Sequence, residues 1–105
     1  MLFRSQDAND RLWQARAILT QDVLHGKPLD EVAKNSPVRF LVINVAEDRM
    51  VAPGPALEWA KAAGAEVYLS NGECAHLIMS CDAAEVRERV ERFISQPIAA
   101  KTSAR

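Results

Sequence analysis

Apolar positions along the chain change their period several times, and each change marks an element. Ala8, Leu12, Ala15, Ile18, Leu19 and Val23 recur at helical spacing over residues 7–24. Asp7 sits where an N-cap belongs, Asp10 falls in the first turn, and Gly26 and Pro28 predict the end of this helix. Residues 28–33 predict a short second helical stretch. Asn35-Ser36-Pro37 stops it, because the residue before a proline resists the α region. Residues 38–45 are then β-branched and almost continuously apolar, the mark of a strand covered by helices on both faces. Pro53, Gly54 and Pro55 predict the start of a helix over 55–63 that buries Leu57, Trp59 and Ala60 and is capped by Gly64. A second, shorter strand is predicted within 65–69, and Asn71-Gly72 predicts a tight turn after it. Over residues 82–96, Val86, Val90, Phe93 and Ile94 share one face, with Arg87, Glu88, Glu91 and Arg92 elsewhere. This is an amphipathic helix returning over the sheet. Pro97 ends it, and residues 97–105 are expected to form a flexible tail.

The predicted order strand, helix, strand constrains topology. A crossover of a dozen or so residues joins parallel strands, so both strands point the same way and both following loops leave one edge of the sheet. Ligands of open α/β sheets bind outside the carboxyl ends of the strands. A carboxylate after the first strand, Asp48, and an imidazole after the second, His76, can therefore converge, although they lie 28 residues apart. Singly, an aspartate after a strand is usually a turn former or helix cap, and a lone histidine is usually a surface residue. Each at the end of its own parallel strand, the pair has the makings of acid and base in a Ser-His-Asp triad, where the carboxylate fixes the imidazole tautomer and the imidazole takes the nucleophile's proton.

Bulk numbers narrow the classes. A chain of 105 residues is one domain or part of one. With 13 Lys and Arg against 14 Asp and Glu and no basic stripe with interleaved aromatics, nucleic acid is not an expected partner. No apolar run approaches the roughly 20 residues of a membrane span, no apolar signal core opens the chain, and the expected compartment is the cytoplasm. Cys74 and Cys81 have no zinc-type pairing, and this composition gives no reason to expect a disulfide between them. Met1-Leu2-Phe3-Arg4-Ser5 needs separate treatment, because Leu-Phe-Arg-Ser is what a common sequencing-adapter end encodes in frame. Residues 1–5 are read as an assembly-derived start, residues 6–96 as the segment with structure, and the chain as the tail of a longer gene. The competing reading is a genuine start.

Three motifs in order carry a family resemblance over residues 7–94. Asp7-Ala8-Asn9-Asp10-Arg11-Leu12 looks like an Asp-Ala-Asn stretch opening the helix before a penultimate strand. Asp48-Arg49-Met50-Val51-Ala52-Pro53 is similar to an acid motif of aspartate, apolar residue and prolines, and Ala75-His76 stands where a glycine and a catalytic histidine would be. Together they resemble the C-terminal part of α/β-hydrolases, and within them the homoserine O-acetyltransferase family. The resemblance implies a two-stranded C-terminal portion of an incomplete parallel sheet, flanked by helices. It also implies acyl transfer from acetyl-CoA, as donor substrate, to a hydroxyl acceptor, with no resident cofactor or metal. His76 would be the base, Asp48 the acid, and the serine of a Gly-x-Ser-x-Gly elbow would lie upstream, since the chain order of this fold is Ser, acid, His. Ser70, Ser80 and Ser95 are in no such elbow. The expected partners are the small-molecule donor and acceptor, the N-terminal part of the same domain, and possible homodimeric association, without nucleic acid or membrane.

Some residues depart from that pattern. Leu77 replaces an aspartate that holds the amino group of homoserine in the family, Ala75 replaces the glycine, and Ala52 a proline. A related acyltransferase or an esterase-type hydrolase with a different acceptor therefore stays open, as does a non-catalytic α/β binding module in which Asp48 and His76 are incidental. Glu47 competes for the acid role, but Asp48 fits the motif spacing. Cys74, two residues from His76, suggests a thiol dyad; nothing nearby depresses its pKa, and a small buried hydrophobe is the better reading. His25 reads as a C-terminal cap on the first helix, and Trp13 and Trp59 as packing residues, with Trp13 an alternative wall of a substrate entrance.

Overall fold

The computed structural model describes residues 7–98. The expected start at residues 1–5 and the last seven residues of the expected tail lie outside the described residues. In chain order the helices are α1 (Ala8–Thr20), α2 (Leu29–Asn35), α3 (Gly54–Ala63), α4 (Ile78–Cys81) and α5 (Ala83–Ser95); the strands are β1 (Leu41–Val45), before α3, and β2 (Glu66–Ser70), after it. The fold is mixed α/β with an open two-stranded sheet. β1 and β2 pair in parallel from Leu41 opposite Glu66 to Val45 opposite Ser70, as the crossover argument requires.

Local chemistry explains most boundaries. Asp7 caps α1, its Oδ1 accepting from the backbone N–H groups of Asn9 and Asp10 at 2.8 and 2.9 Å while Asp10 reaches back to the Asp7 N–H. α1 stops at Thr20, short of the expected residue 24, because Asp22 draws the next backbone donors away: its carboxylate accepts from Leu24 and Gly26 N–H at 2.9 and 2.7 Å. His25 therefore lies in a turn at φ 51°, five residues beyond the helix, and is not its cap. α3 opens at Gly54 with Pro55 in its first turn and ends on Gly64 in the left-handed conformation at φ 64°, as expected.

Helices cover the two faces of β1. Phe40, entering the strand, meets Trp59 of α3 edge to face at 5.5 Å, while neighbouring Arg39 turns the other way and lies 4.6 Å over the Phe93 ring of α5. Arg39 also donates to the Phe93 carbonyl near the end of α5. On the same side Arg89 of α5 lies 4.3 Å over Tyr68 of β2. The expected strand 38–45 is shorter in fact, and of its residues only Val45 is buried.

The core is thin. Ala33, Val45, Ala60, Ala63 and Val86 are its buried apolar residues. α1 buries nothing, so Leu12, Ile18 and Leu19 face solvent and Trp13 is exposed beside the Arg16 guanidinium, contrary to the packing role expected of it. Ile94, expected on the apolar face of α5, is 71% exposed. The Cα radius of gyration is 17.4 Å, whereas a compact domain of about 100 residues has one of about 13 Å. Among the described residues no helix is long and apolar enough to cross a membrane.

Candidate functional site

Asp48 is set by the turn that follows β1. Ala46 N–H donates to the Ser70 carbonyl at the end of β2, and Asp48 N–H folds back onto the Val45 carbonyl, so the acid leaves the sheet beside the end of its neighbour strand. Its Oδ1 then accepts from both Met50 and Val51 N–H, at 2.9 and 3.0 Å. These two bonds are the ordinary Asx-turn use of an aspartate after a strand. They fix the carboxylate plane and leave Oδ2 free to face outward.

Oδ2 meets His76 Nδ1 at 3.0 Å. An ionised carboxylate only accepts, so Nδ1 is the donor and carries the proton. In the neutral ring Nε2 is then the nitrogen with the lone pair, and among the described residues it has no hydrogen-bond partner. The histidine side chain is 46% exposed and the aspartate only 10%, so the carboxylate is sheltered beneath an accessible ring. The Val51 N–H, followed by the bond to His76, holds the Asp48 pKa below its ordinary 3.8, against the opposing effect of burial. Glu47, the rival for the acid role, is exposed and takes no part.

The loop carrying His76 is more ordered than the sequence suggests. Asn71 and Gly72 form no turn; the chain turns at Glu73 and Cys74 and enters a 3-10 turn over Ala75–Leu77, with Leu77 N–H on the Cys74 carbonyl at 2.8 Å. α4 follows directly. Ala75, immediately before the histidine, has φ 45°, a left-handed conformation that glycine adopts freely and alanine does not.

Two further ties hold this loop. The buried hydroxyl of Ser70, 4% exposed, donates to Asp82 Oδ2 and accepts from Gly72 N–H at 3.0 Å. A Cβ at Gly72 would lie 2.9 Å from Asp82 Oδ2 and 3.1 Å from Ser70 Oγ, so a larger residue there would have to push these side chains aside. The second tie is a disulfide between Cys74 and Cys81, which corrects the expectation of unpaired thiols and removes the thiol dyad. Sequence spacing of seven looks unremarkable until the 3-10 turn and α4 fold the chain back. The Cα atoms then stand 6.0 Å apart, within disulfide reach.

The structure thus brings together the two residues expected to meet, Asp48 and His76. It adds Ser70, Gly72, Asp82 and the cysteine pair as supports. Leu77, beside the histidine, is 66% exposed. Among the described residues no group of three or more His, Cys, Asp and Glu gathers as a metal site. Compared with protein-family models, curated proteins and solved structures, the chain matches none.

Proposed function

We propose that Asp48 and His76 are the acid and base of a Ser-His-Asp acyl-transfer centre in an α/β-hydrolase type of fold, whose nucleophilic serine is supplied from outside this chain segment. The observation that carries the reading is the polarity of the pair. Asp48 is locked by two backbone donors and accepts from Nδ1, which in the neutral ring leaves Nε2 with its lone pair and, among the described residues, without a hydrogen-bond partner, at the carboxyl edge of a parallel sheet. A purely structural histidine has no need of a fixed tautomer with one nitrogen left free.

In the proposed reaction, Nε2 takes the proton of the serine hydroxyl as that oxygen attacks the acyl carbon of acetyl-CoA, and Asp48 stabilises the imidazolium so formed. The acyl group then passes to the hydroxyl of the acceptor, deprotonated by the same nitrogen. A homoserine-type acceptor is the family expectation, but the exposed Leu77 provides no charge for an ammonium group. That residue favours a less polar acceptor or esterase-type hydrolysis at the same dyad. The proposal also covers the neighbours and compartment of the chain: further strands beside β1 and β2, which would cover Val67 and Leu69, and a cytoplasmic location.

The test is to read the coding DNA upstream of Met1, express the extended chain and assay acyl transfer from acetyl-CoA. A Gly-x-Ser-x-Gly elbow after a strand, with activity lost by about 10⁴-fold in Asp48→Asn, is the expected result. An extended chain without a nucleophile, or activity indifferent to Asp48 and His76, refutes the proposal.

A further inference from the structure

We propose that the Cys74–Cys81 disulfide is a redox-operated clamp that holds His76 on Asp48. The proposal deepens the reading of His76 as a base, and rests on it only for the catalytic consequence. Three observations around one loop carry it.

First, the cysteines bracket the histidine. Cys74 precedes the 3-10 turn that bears His76, Cys81 is the last residue of α4, and the covalent ring they close contains the whole segment between. Second, Ala75 within that ring holds a positive φ, which L residues keep only where their surroundings over-determine it. The ring is the covalent part of those surroundings, with the Ser70 to Asp82 bond anchoring the residue just after Cys81. Third, the other half of the contact is fixed independently, since Asp48 is held by Met50 and Val51 N–H, which the disulfide does not touch. Opening the disulfide therefore frees one partner and leaves the other in place. Cys81 is exposed and Cys74 half-buried, so the bond is open to attack.

The exchange is balanced with a dithiol as reductant. A dithiol thiolate attacks Cys81 Sγ, the Cys74 to Cys81 bond breaks, and Cys74 leaves as a thiolate that takes up a proton. The second dithiol sulfur then displaces Cys81, giving a cyclic disulfide and two cysteine thiols, with two electrons passed to the protein. Ala75 then relaxes to negative φ, His76 leaves Asp48, and the base loses its orientation. A cytoplasmic location, as proposed above, would suit this, since disulfides there are as a rule transient.

The experiment uses the full chain and nuclear magnetic resonance, with and without dithiothreitol, following the Asp48 carboxyl titration, the His76 ring and the amide contacts between β1 and β2. Because it needs no activity, its failure is separate from failure of the acyl-transfer reading. On reduction, the Asp48 titration is expected to rise only part of the way to the ordinary carboxylate range, since two backbone donors remain. The signal of the Nδ1 proton is expected to lose most of its intensity, with the β1 to β2 contacts intact. A Cys74→Ser, Cys81→Ser variant should match the reduced protein and ignore dithiothreitol, and Ala75→Gly, which needs no clamp to reach positive φ, should keep the contact when reduced. Two free thiols with an unchanged Asp48 titration would overturn the clamp. So would loss of the β1 to β2 contacts on reduction, because the disulfide would then hold the whole fold, and so would an Ala75→Gly protein as redox-sensitive as the parent.

Discussion

Replacing Ala75 by glycine should make the protein more stable, although glycine in general weakens folded chains. Ala75 stands at φ 45°, where an L side chain crowds its own carbonyl at a cost of about 1–2 kcal/mol. Glycine has no such cost, but its freer unfolded state takes back about 0.5–1 kcal/mol. Taking the middle of each range, the expected net gain is about 0.75 kcal/mol, which for a domain of this size raises Tm by about 3–6 °C. Thermal unfolding of the oxidised protein, followed by circular dichroism, measures it. Because the gain comes from the backbone, Ala75→Ser should show none of it. A Tm for Ala75→Gly equal to or below the parent's would refute the reasoning, since it would mean that residue 75 does not hold a left-handed conformation and that the histidine loop is not strained.

Four other outcomes test the remaining supports. Gly72→Ala should have the opposite sign to Ala75→Gly: its Cβ would stand 2.9 Å from Asp82 Oδ2, and relief of that crowding should cost about 1–3 kcal/mol in a urea titration; an unchanged midpoint would show that the Ser70, Gly72 and Asp82 cluster is loose. Removing the disulfide by Cys74→Ser with Cys81→Ser frees a loop of eight residues in the unfolded chain, a loss of about 2.5 kcal/mol by loop entropy, read from the same titration. Asp48 has a folded pKa below its ordinary 3.8, so its contribution is present above that value and lost as pH falls through the lowered one; Asp48→Asn should lack that acid step in a stability-against-pH curve, and an identical curve would contradict the bonds to Met50, Val51 and His76. Val67 and Leu69 are 40% and 39% exposed on β2, so the parent should associate as its concentration rises and Val67→Lys with Leu69→Lys should associate less by light scattering; a parent that stays monomeric at high concentration would refute an uncovered sheet.

The parallel pair and the meeting of Asp48 with His76 were legible because each depends on one robust rule. A helical crossover dictates parallel strands, and parallel strands dictate that successive loops leave the same edge. Nothing in Ala75 itself signalled the left-handed backbone that it takes. What was illegible depended on pairings invisible in one dimension. Periodicity ran the first helix on to residue 24, whereas one side chain, Asp22, diverts the backbone donors that would have continued it. Gly72 invited a turn, whereas it lies where a Cβ would crowd Asp82 Oδ2 and Ser70 Oγ. Composition argued against a disulfide because it speaks to compartment and carries no distance. The apolar spacing of α1 promised burial, and a helix can satisfy that pattern without any neighbour to pack on.

The candidate site does not draw its order from the core, which among the described residues is built of alanines and valines and contains no fully buried large side chain. A histidine side chain exposed to 46% in such a thin fold would ordinarily wander. It is kept by short ties instead: two backbone donors on the acid, one carboxylate on the ring, a disulfide and a buried hydroxyl under the loop. Every tie except the Asp48 to His76 bond itself spans no more than twelve residues. Asp48 and His76 are each positioned within their own loops, and the parallel pair of strands only has to set the two loops side by side. Damage to the thin core should therefore lower stability well before it disturbs the 3.0 Å contact, while opening the Cys74 to Cys81 tie should disturb the contact and leave the pairing of β1 with β2 intact.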